Sequence, residues 1–164
     1  METITATATV KNEYKSKPRP KVREYAIRAG GILQYGAAIE QTINRVMIEN
    51  AQQAGKEYKP FATFASDFAI AECFGDDAIL DTYNRASRSW VSDYKYFTEL
   101  VMVLNHLCWF WYYNKEKELS ALYSDLYYKA VDAFDEYWGE KDGDTEEDAA
   151  RKDEACSYYY NVTD

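Results

Sequence analysis

The sequence lacks the residue combinations on which most catalytic and metal-binding sites depend. It contains one histidine, His106, and three cysteines that are spaced too widely to form a CxxC pair. The HExxH zinc motif, the GxxxxGK[ST] phosphate loop and the GxGxxG dinucleotide motif are all absent. Neither a zinc site nor a disulfide framework is therefore expected. We predict a protein that is not an enzyme and that holds no metal and no other cofactor.

The single histidine lies in the most apolar part of the chain. A catalytic imidazole needs an orienting partner and a path for substrate, and the sequence names neither. We expect His106 to be a core or groove residue bonded to a neighbour. A metal-dependent enzyme is kept as an alternative, because a helical bundle could hold Mg²⁺ between carboxylates. Its candidates are Glu72, Asp76, Asp77 and Asp81, although Asp76 and Asp77 are better explained as helix caps.

No apolar run is long enough to cross a bilayer. The most apolar stretch, residues 100–113, is shorter than the roughly 20 residues that a spanning helix needs, and it includes Asn105. The first residues, METITATATVKNEYKSK, lack the basic start and apolar run of a signal peptide. Three unpaired thiols also fit a reducing compartment. We therefore expect a cytoplasmic protein with no membrane contact.

The net charge of −9 is distributed unevenly along the chain. Residues 1–28 carry seven Lys and Arg against three Glu, which gives +4, so the remaining residues sum to −13. An acidic body argues against non-specific binding to nucleic acid. The basic arm could touch phosphate, but a short terminus of this kind is more often simply solvated.

The apolar periodicity predicts an all-α, single-domain bundle of about five to six helices. Residues 3–10 alternate Thr with apolar residues, which predicts a short strand or an extended arm, and Pro18 and Pro20 then exclude helix until about residue 21. The predicted helices cover about residues 22–54, 66–74, 76–90, 93–113, 116–138 and 145–155. Ser66 or Asp67 is the expected cap of the second helix, Gly75 suits the position after its end, and Thr145 is the expected cap of the last helix. The predicted divisions are an arm (1–17), a helical domain (18–139), and a linker with a C-terminal helix that packs on the domain or trails it (140–164).

Two aromatic segments predict an antiparallel helix hairpin at the centre, residues 93–113 and 116–138. Apolar residues recur at helical steps from Trp90 to Trp111 and again from Leu119 to Trp138, so both lines are expected in the core. Asn114-Lys115 is the natural break between the helices.

Tyrosine and tryptophan are more numerous than a core alone explains, with 16 Tyr and 4 Trp. Successive helical residues point about 100° apart, so the run Trp109–Tyr113 cannot turn every ring to one side. The rings are either covered by other elements or line an exposed patch, and Tyr and Trp are enriched at protein interfaces. The candidate partner-binding residues are Trp109, Tyr112, Tyr113, Tyr128, Tyr158, Tyr159 and Tyr160.

A helix-turn-helix regulator is a second alternative. The segment Ile70–Gly75 has a small residue and a turn glycine at suitable spacing, and Asn84, Arg85 and Arg88 could then contact nucleic acid. The helix after the turn begins Asp76-Asp77 and continues to Asp81, however, which is the wrong charge for facing phosphates. Two ordinary packed helices explain residues 66–90 at least as well.

The blocks SDFAIAECFGDDAILDTYNRA, YKYFTELVMVLNHLCWFWYY, LSALYSDLYYKA and SYYYNVTD together resemble small uncharacterised accessory proteins encoded by phages and conjugative elements of gut bacteria. The resemblance covers about residues 60–164 and implies a context, a bacterial cytoplasm, but no activity. We therefore expect a non-enzymatic accessory factor of a mobile element that docks an aromatic, acid-rimmed surface on a host or element-encoded protein. A homodimer is left open, because exposed aromatic stripes often close two-fold dimers.

Overall fold

The computed structural model describes residues 24, 31–55 and 64–163. Within these residues every regular element is a helix and no strand occurs, which confirms the all-α prediction. The six long helices of the described part are α1 (Ile32–Gln53), α2 (Phe64–Glu72), α3 (Asp76–Trp90), α4 (Tyr94–Tyr113), α5 (Lys117–Trp138) and α6 (Glu146–Thr163). The predicted arm, residues 1–17, lies outside the described residues.

The described helices belong to two compact units. The first contains α1 as far as Glu49, α2, and α3 as far as Arg85. The second contains residues 50–55, the end of α3, and helices α4, α5 and α6. The sequence leaves open whether the C-terminal helix packs on the hairpin or trails it, and in the second unit α6 packs on both α4 and α5.

The first unit brings α1 and α2 unusually close at Gly36. A Cβ atom at this position would lie 2.7 Å from the Cα of Ser66, well inside ordinary contact distance. Apolar residues of the three helices are buried in this unit, among them Ile39, Phe68 and Ile79. The absence of a side chain at Gly36 therefore sets the distance between α1 and α2.

Gly36→Ala should lower the free energy of unfolding by about 1–3 kcal/mol, the usual result of overpacking. The methyl group would meet the backbone of Ser66, which cannot rotate away as a long side chain can. Chemical denaturation measures the effect, and Gln41→Ala at an exposed position of α1 is the control. A gain in stability, as helix propensity alone would give, would contradict the close approach.

The turn between α2 and α3 confirms one cap prediction and corrects another. Gly75 has a φ of +113°, which favours glycine, and its N–H donates to the Ala71 carbonyl over 3.2 Å, as predicted for the residue that ends the helix. The prediction that Ser66 or Asp67 caps α2 is wrong, because the helix already begins at Phe64. Asp67 instead lies in the first turn, where a carboxylate complements the helix dipole.

The second unit contains the predicted hairpin of α4 and α5. Asp93 caps α4, since its Oδ1 accepts hydrogen bonds from the N–H groups of Lys95 (3.2 Å) and Tyr96 (3.3 Å). Asn114 ends the helix, and Lys115, with a φ of +64°, turns the chain into α5. The break between the two helices is therefore confirmed.

Most residues of the two predicted core lines are buried, two are exposed, and four are half-buried, namely Tyr94, Cys108, Leu122 and Tyr127. Leu104 and Trp111 on α4, like Leu119 on α5, have no exposed surface. Trp90 and Tyr137 were expected in the core as well, and this prediction is wrong, because they are 37% and 42% exposed. Trp90 is the final residue of α3, and Tyr137 points about 100° away around α5 from Trp138, whose side chain is the buried one of the two.

The helix α6 is held to the hairpin by aromatic contacts, and one ion pair ties it to the segment that precedes it. The rings of Tyr159 and Phe134 stack with centroids 4.2 Å apart, and Nζ of Lys152 lies 2.7 Å from a carboxylate oxygen of Asp144. The hydrogen bond from Lys152 is the main reason that the pKa of Asp144 lies below its usual value. The stack of Tyr159 on Phe134 joins α6 to α5, and α6 packs on α4 as well.

The start of α6 agrees with the sequence prediction, and its end does not. The expected cap at Thr145 is confirmed, because its Oγ1 accepts from the Asp148 N–H (3.1 Å) while the Asp148 carboxylate accepts from the Thr145 N–H (3.2 Å). The expected end near Ala155 is wrong, since α6 continues to Thr163. Burial of Tyr159 against the hairpin extends the helix beyond its polar first half.

Candidate functional site

Three of the seven candidate residues form one exposed cluster near the C-terminal end of α4. Trp109, Tyr112 and Tyr113 are 50%, 56% and 75% exposed. Their ring centroids are 5.6 Å apart (Trp109–Tyr112), 6.1 Å apart (Trp109–Tyr113) and 5.5 Å apart (Tyr112–Tyr113). The spacing i, i+3, i+4 places them on one face of the helix. We refer to these three residues as the aromatic cluster.

The helix divides the WFWYY run between core and surface. Trp111 is fully buried, and Phe110 is half-buried with its ring against Trp111 at 4.9 Å. The remaining three rings form the aromatic cluster. Part of the run is therefore covered by other elements, and the rest of it lines an exposed patch.

The helix end that carries the aromatic cluster is held firmly in place. The buried Trp111 ring anchors the last turn, and Nδ2 of Asn114 donates to the Phe110 carbonyl over 2.7 Å. Across the hairpin, Oγ of Ser120 donates to the Cys108 carbonyl over 2.8 Å. The three exposed rings are thus presented on a fixed backbone.

The exposed surface of the aromatic cluster is large for a single helix turn. With about 200–250 Å² for each aromatic side chain, the three rings expose roughly 400 Å². The largest apolar patch of a typical monomer is about 300–600 Å², and such patches are often functional. The cluster alone is therefore comparable in area to the largest apolar patch of a typical monomer, which is often functional.

Polar groups next to the aromatic cluster carry no net charge. Asn105 and His106 lie one turn earlier on α4 and are half-buried. Burial lowers the pKa of His106 below its ordinary value of 6.5, so the imidazole is neutral at pH 7. The segment after the cluster, residues 114–118, reads NKEKE and sums to zero. Most of the acidic charge of this unit belongs to α5 and α6, which each carry five acidic residues against two basic ones.

Lowering the pH below about 6.5 should reduce the free energy of unfolding through His106. Because its pKa is depressed in the folded protein, the unfolded chain binds a proton that the folded state does not. The stabilisation is therefore complete above the unfolded pKa and is lost as the pH falls. Denaturation of wild type and His106→Gln at about pH 8 and about pH 5.5 measures the difference.

The same comparison controls for other groups. Burial raises the pKa values of Glu40 and Asp67, which changes stability with pH in the opposite direction. These groups are present in both proteins, and His106 is the only histidine. If wild type and variant lost equal stability on acidification, the burial of His106 would be contradicted.

The other four candidate residues do not join the aromatic cluster. Tyr128 is 63% exposed on α5 and contacts the ring of Tyr127 at 5.2 Å. Tyr158 is half-buried and meets Tyr94 at 5.5 Å. Tyr159 is buried in the core, whereas Tyr160 is 53% exposed. The C-terminal tyrosine run therefore mainly packs α6 on the hairpin and leaves one ring exposed.

One exposed aromatic pair was missed by the sequence analysis. Trp90 and Tyr96 are each 37% exposed, and their ring centroids lie 4.6 Å apart at the turn between α3 and α4. Trp90 had been assigned to the core line of α4. The sequence does carry a signal for the exposure of Trp90, because the turn Val91-Ser92-Asp93 separates it from the apolar line of α4.

The residues of the helix-turn-helix alternative are exposed but partly occupied. Asn84, Arg85 and Arg88 are all on the surface of α3. Nε of Arg85 lies 3.1 Å from the carboxylate of Asp81, one turn earlier. Arg88 lines a groove of about 300 Å³ together with Tyr137. Of the three side chains, Arg85 is therefore paired within its own helix.

The carboxylates of the metal alternative lie in different environments. Glu72 is fully buried, Asp76 is half-buried and Asp77 is exposed. Among residues 24, 31–55 and 64–163, no group of three or more His, Cys, Asp or Glu side chains is arranged to hold a metal ion.

None of the helices in the described part of the chain is long and apolar enough to span a bilayer. Comparison of the whole sequence and fold with known proteins gives no match to a protein-family model, to a curated protein or to a solved structure.

Proposed function

We propose that the protein is a non-enzymatic binding factor that docks its aromatic cluster on another protein. The observation that carries the proposal is the mutual contact of three exposed rings, Trp109, Tyr112 and Tyr113, on a single helix face. Contiguous exposed apolar surface of this size is costly in water and is typical of interaction sites. Tyr and Trp are also the side chains most enriched among residues that dominate binding energy.

The geometry of the aromatic cluster suits recognition of a protein surface. Tyr and Trp offer large contact areas while losing little conformational freedom, because each has only two side-chain torsions. The backbone beneath them is fixed by the buried Trp111 and by the Ser120–Cys108 hydrogen bond. A preorganised surface of this kind loses less entropy on binding than a mobile one.

The charge around the aromatic cluster indicates the chemistry of the partner surface. The flanking NKEKE segment is neutral overall, so the rings best match an apolar patch without strong charge. The acidic helices α5 and α6 belong to the same unit, and their charge would favour basic groups on the partner. The resemblance to accessory proteins of phages and conjugative elements supports a host or element-encoded partner in a bacterial cytoplasm.

A comparative capture experiment tests this proposal. Tagged wild type, the double variant Trp109→Ser/Tyr113→Ser, and the control Tyr128→Ser are expressed in the native host and recovered at physiological salt. We expect one partner in stoichiometric amount with wild type and with Tyr128→Ser, and its loss with the double variant. Equal recovery with all three proteins, or none with any, would contradict docking through the cluster.

The DNA-binding alternative has one observation in its favour, the three-residue turn with Gly75 between α2 and α3. The acids at the start of α3 and the Asp81–Arg85 ion pair oppose contact with phosphates. We expect an anisotropy titration with duplex DNA at low salt to show no saturable binding. Binding that weakens in Arg85→Gln/Arg88→Gln would favour the alternative instead.

A further inference from the structure

We infer that the aromatic cluster also closes a reversible homodimer, in which its occupant is a second copy of this chain. The inference depends on the proposed function only because both use the same docking surface. It names the occupant that covers the three rings when no other partner is bound.

The charge distribution favours a second copy at this face. At −9 per chain, two copies repel each other wherever acidic surfaces meet. The helices α5 and α6 each carry a net charge of −3, from five acids and two bases. In contrast α4 is neutral, with Lys95 balanced by Glu99, and so is the NKEKE segment that follows it. Among the three helices of the hairpin and α6, the least repulsive approach of two copies is therefore through α4 and its C-terminal turn.

The same segment is complementary to itself. Lys115 and Lys117 alternate with Glu116 and Glu118 along the chain. A two-fold axis through the aromatic cluster would run this segment past its copy in the opposite direction, so lysines of one chain can face glutamates of the other. Self-complementarity of one patch is what a two-fold dimer requires.

The exposed area places the dimer among small interfaces, which are mostly weak and transient. The aromatic cluster exposes roughly 400 Å² of side chain, about half of the 800 Å² per partner in a stable interface of standard size. The surrounding turn adds further contact, but the total remains at the small end of specific interfaces. The dimer is therefore expected to dissociate in the micromolar range rather than to be permanent, which leaves the rings available to a competing partner.

Sedimentation velocity on the purified full chain tests the inference. From low micromolar to high micromolar concentration, the weight-average mass of wild type should rise from 19.0 kDa toward twice that value. The exposed residues Trp109 and Tyr113 can be replaced by Ser without disturbing the core, and this double variant should stay monomeric. Tyr128→Ser, which removes an exposed ring outside the aromatic cluster, should dimerise like wild type. Circular dichroism confirms that each variant is folded.

The outcomes separate this inference from the proposed function. A wild type that stays monomeric, or a dimer that survives in the double variant, would overturn the homodimer. Because no other protein is present, that failure leaves partner capture untouched. Conversely, a dimer lost in the double variant supports the inference even if the host yields no partner.

Discussion

Phe134→Ala should lower the free energy of unfolding by about 3–5 kcal/mol, the usual cost of deleting a buried aromatic ring. Phe134 is 1% exposed and stacks on Tyr159 at 4.2 Å. Its ring also lies 6.3 Å from Phe97 on α4 and 6.4 Å from Trp138 on α5. Removing it leaves a cavity where all three helices of the second unit meet. Chemical denaturation followed by near-ultraviolet circular dichroism measures the loss.

A matched control identifies the cause of this loss. Phe134→Leu keeps most of the buried volume and should lower the free energy of unfolding much less than Phe134→Ala. Phe134→Ala should also release α6, because it removes the ring on which the buried Tyr159 of α6 packs. Amide hydrogen exchange reports this release as faster exchange in α6 than in α4. Equal losses for the two variants, or unchanged protection of α6, would contradict the packing described for the second unit.

Trp109→Ser should weaken binding of the captured partner about 30-fold or more, the effect of removing a residue that dominates an interface. The ring is 50% exposed and touches both tyrosines of the aromatic cluster, so its loss removes contact area and the neighbour that orients Tyr112 and Tyr113. Isothermal titration with the partner measures the dissociation constant.

The free energy of unfolding of Trp109→Ser is the control for this prediction. Because half of the side chain is in water, the free energy of unfolding should change far less than for Phe134→Ala. Tyr128→Ser should leave the dissociation constant near that of wild type. If Trp109→Ser unfolded the protein, or left affinity unchanged, the ring would be structural and not part of a docking surface.

The sequence allows most of the helical architecture to be predicted, because strong local signals coincide there. The turn residues Asn114 and Lys115 and the cap at Asp93 lie where the apolar periodicity also breaks. Predictions failed where a signal was local but the outcome depended on packing. Ser66 resembles a cap by composition, yet α2 begins earlier, and α6 continues past its polar part because Tyr159 stacks on Phe134.

The candidate site was only partly predictable for a related reason. Helical geometry requires that the WFWYY run be divided, but it does not say which rings the rest of the fold covers. The structure assigns Trp111 to the core and leaves Trp109 exposed. The tyrosine run at residues 158–160 was ambiguous in the same way, and there the packing of α6 covers the middle ring.

Hydroxyl-radical footprinting of the aromatic rings, in the dilute free protein and in the complex with its captured partner, tests the central claim most directly. In the free protein, Trp109 and Tyr113 should be oxidised much faster than the buried Trp111. In the complex, both should become protected while Tyr128 stays reactive. Oxidation of Trp109 as slow as that of Trp111 in the free protein, or unchanged rates in the complex, would contradict a docking surface at the end of α4.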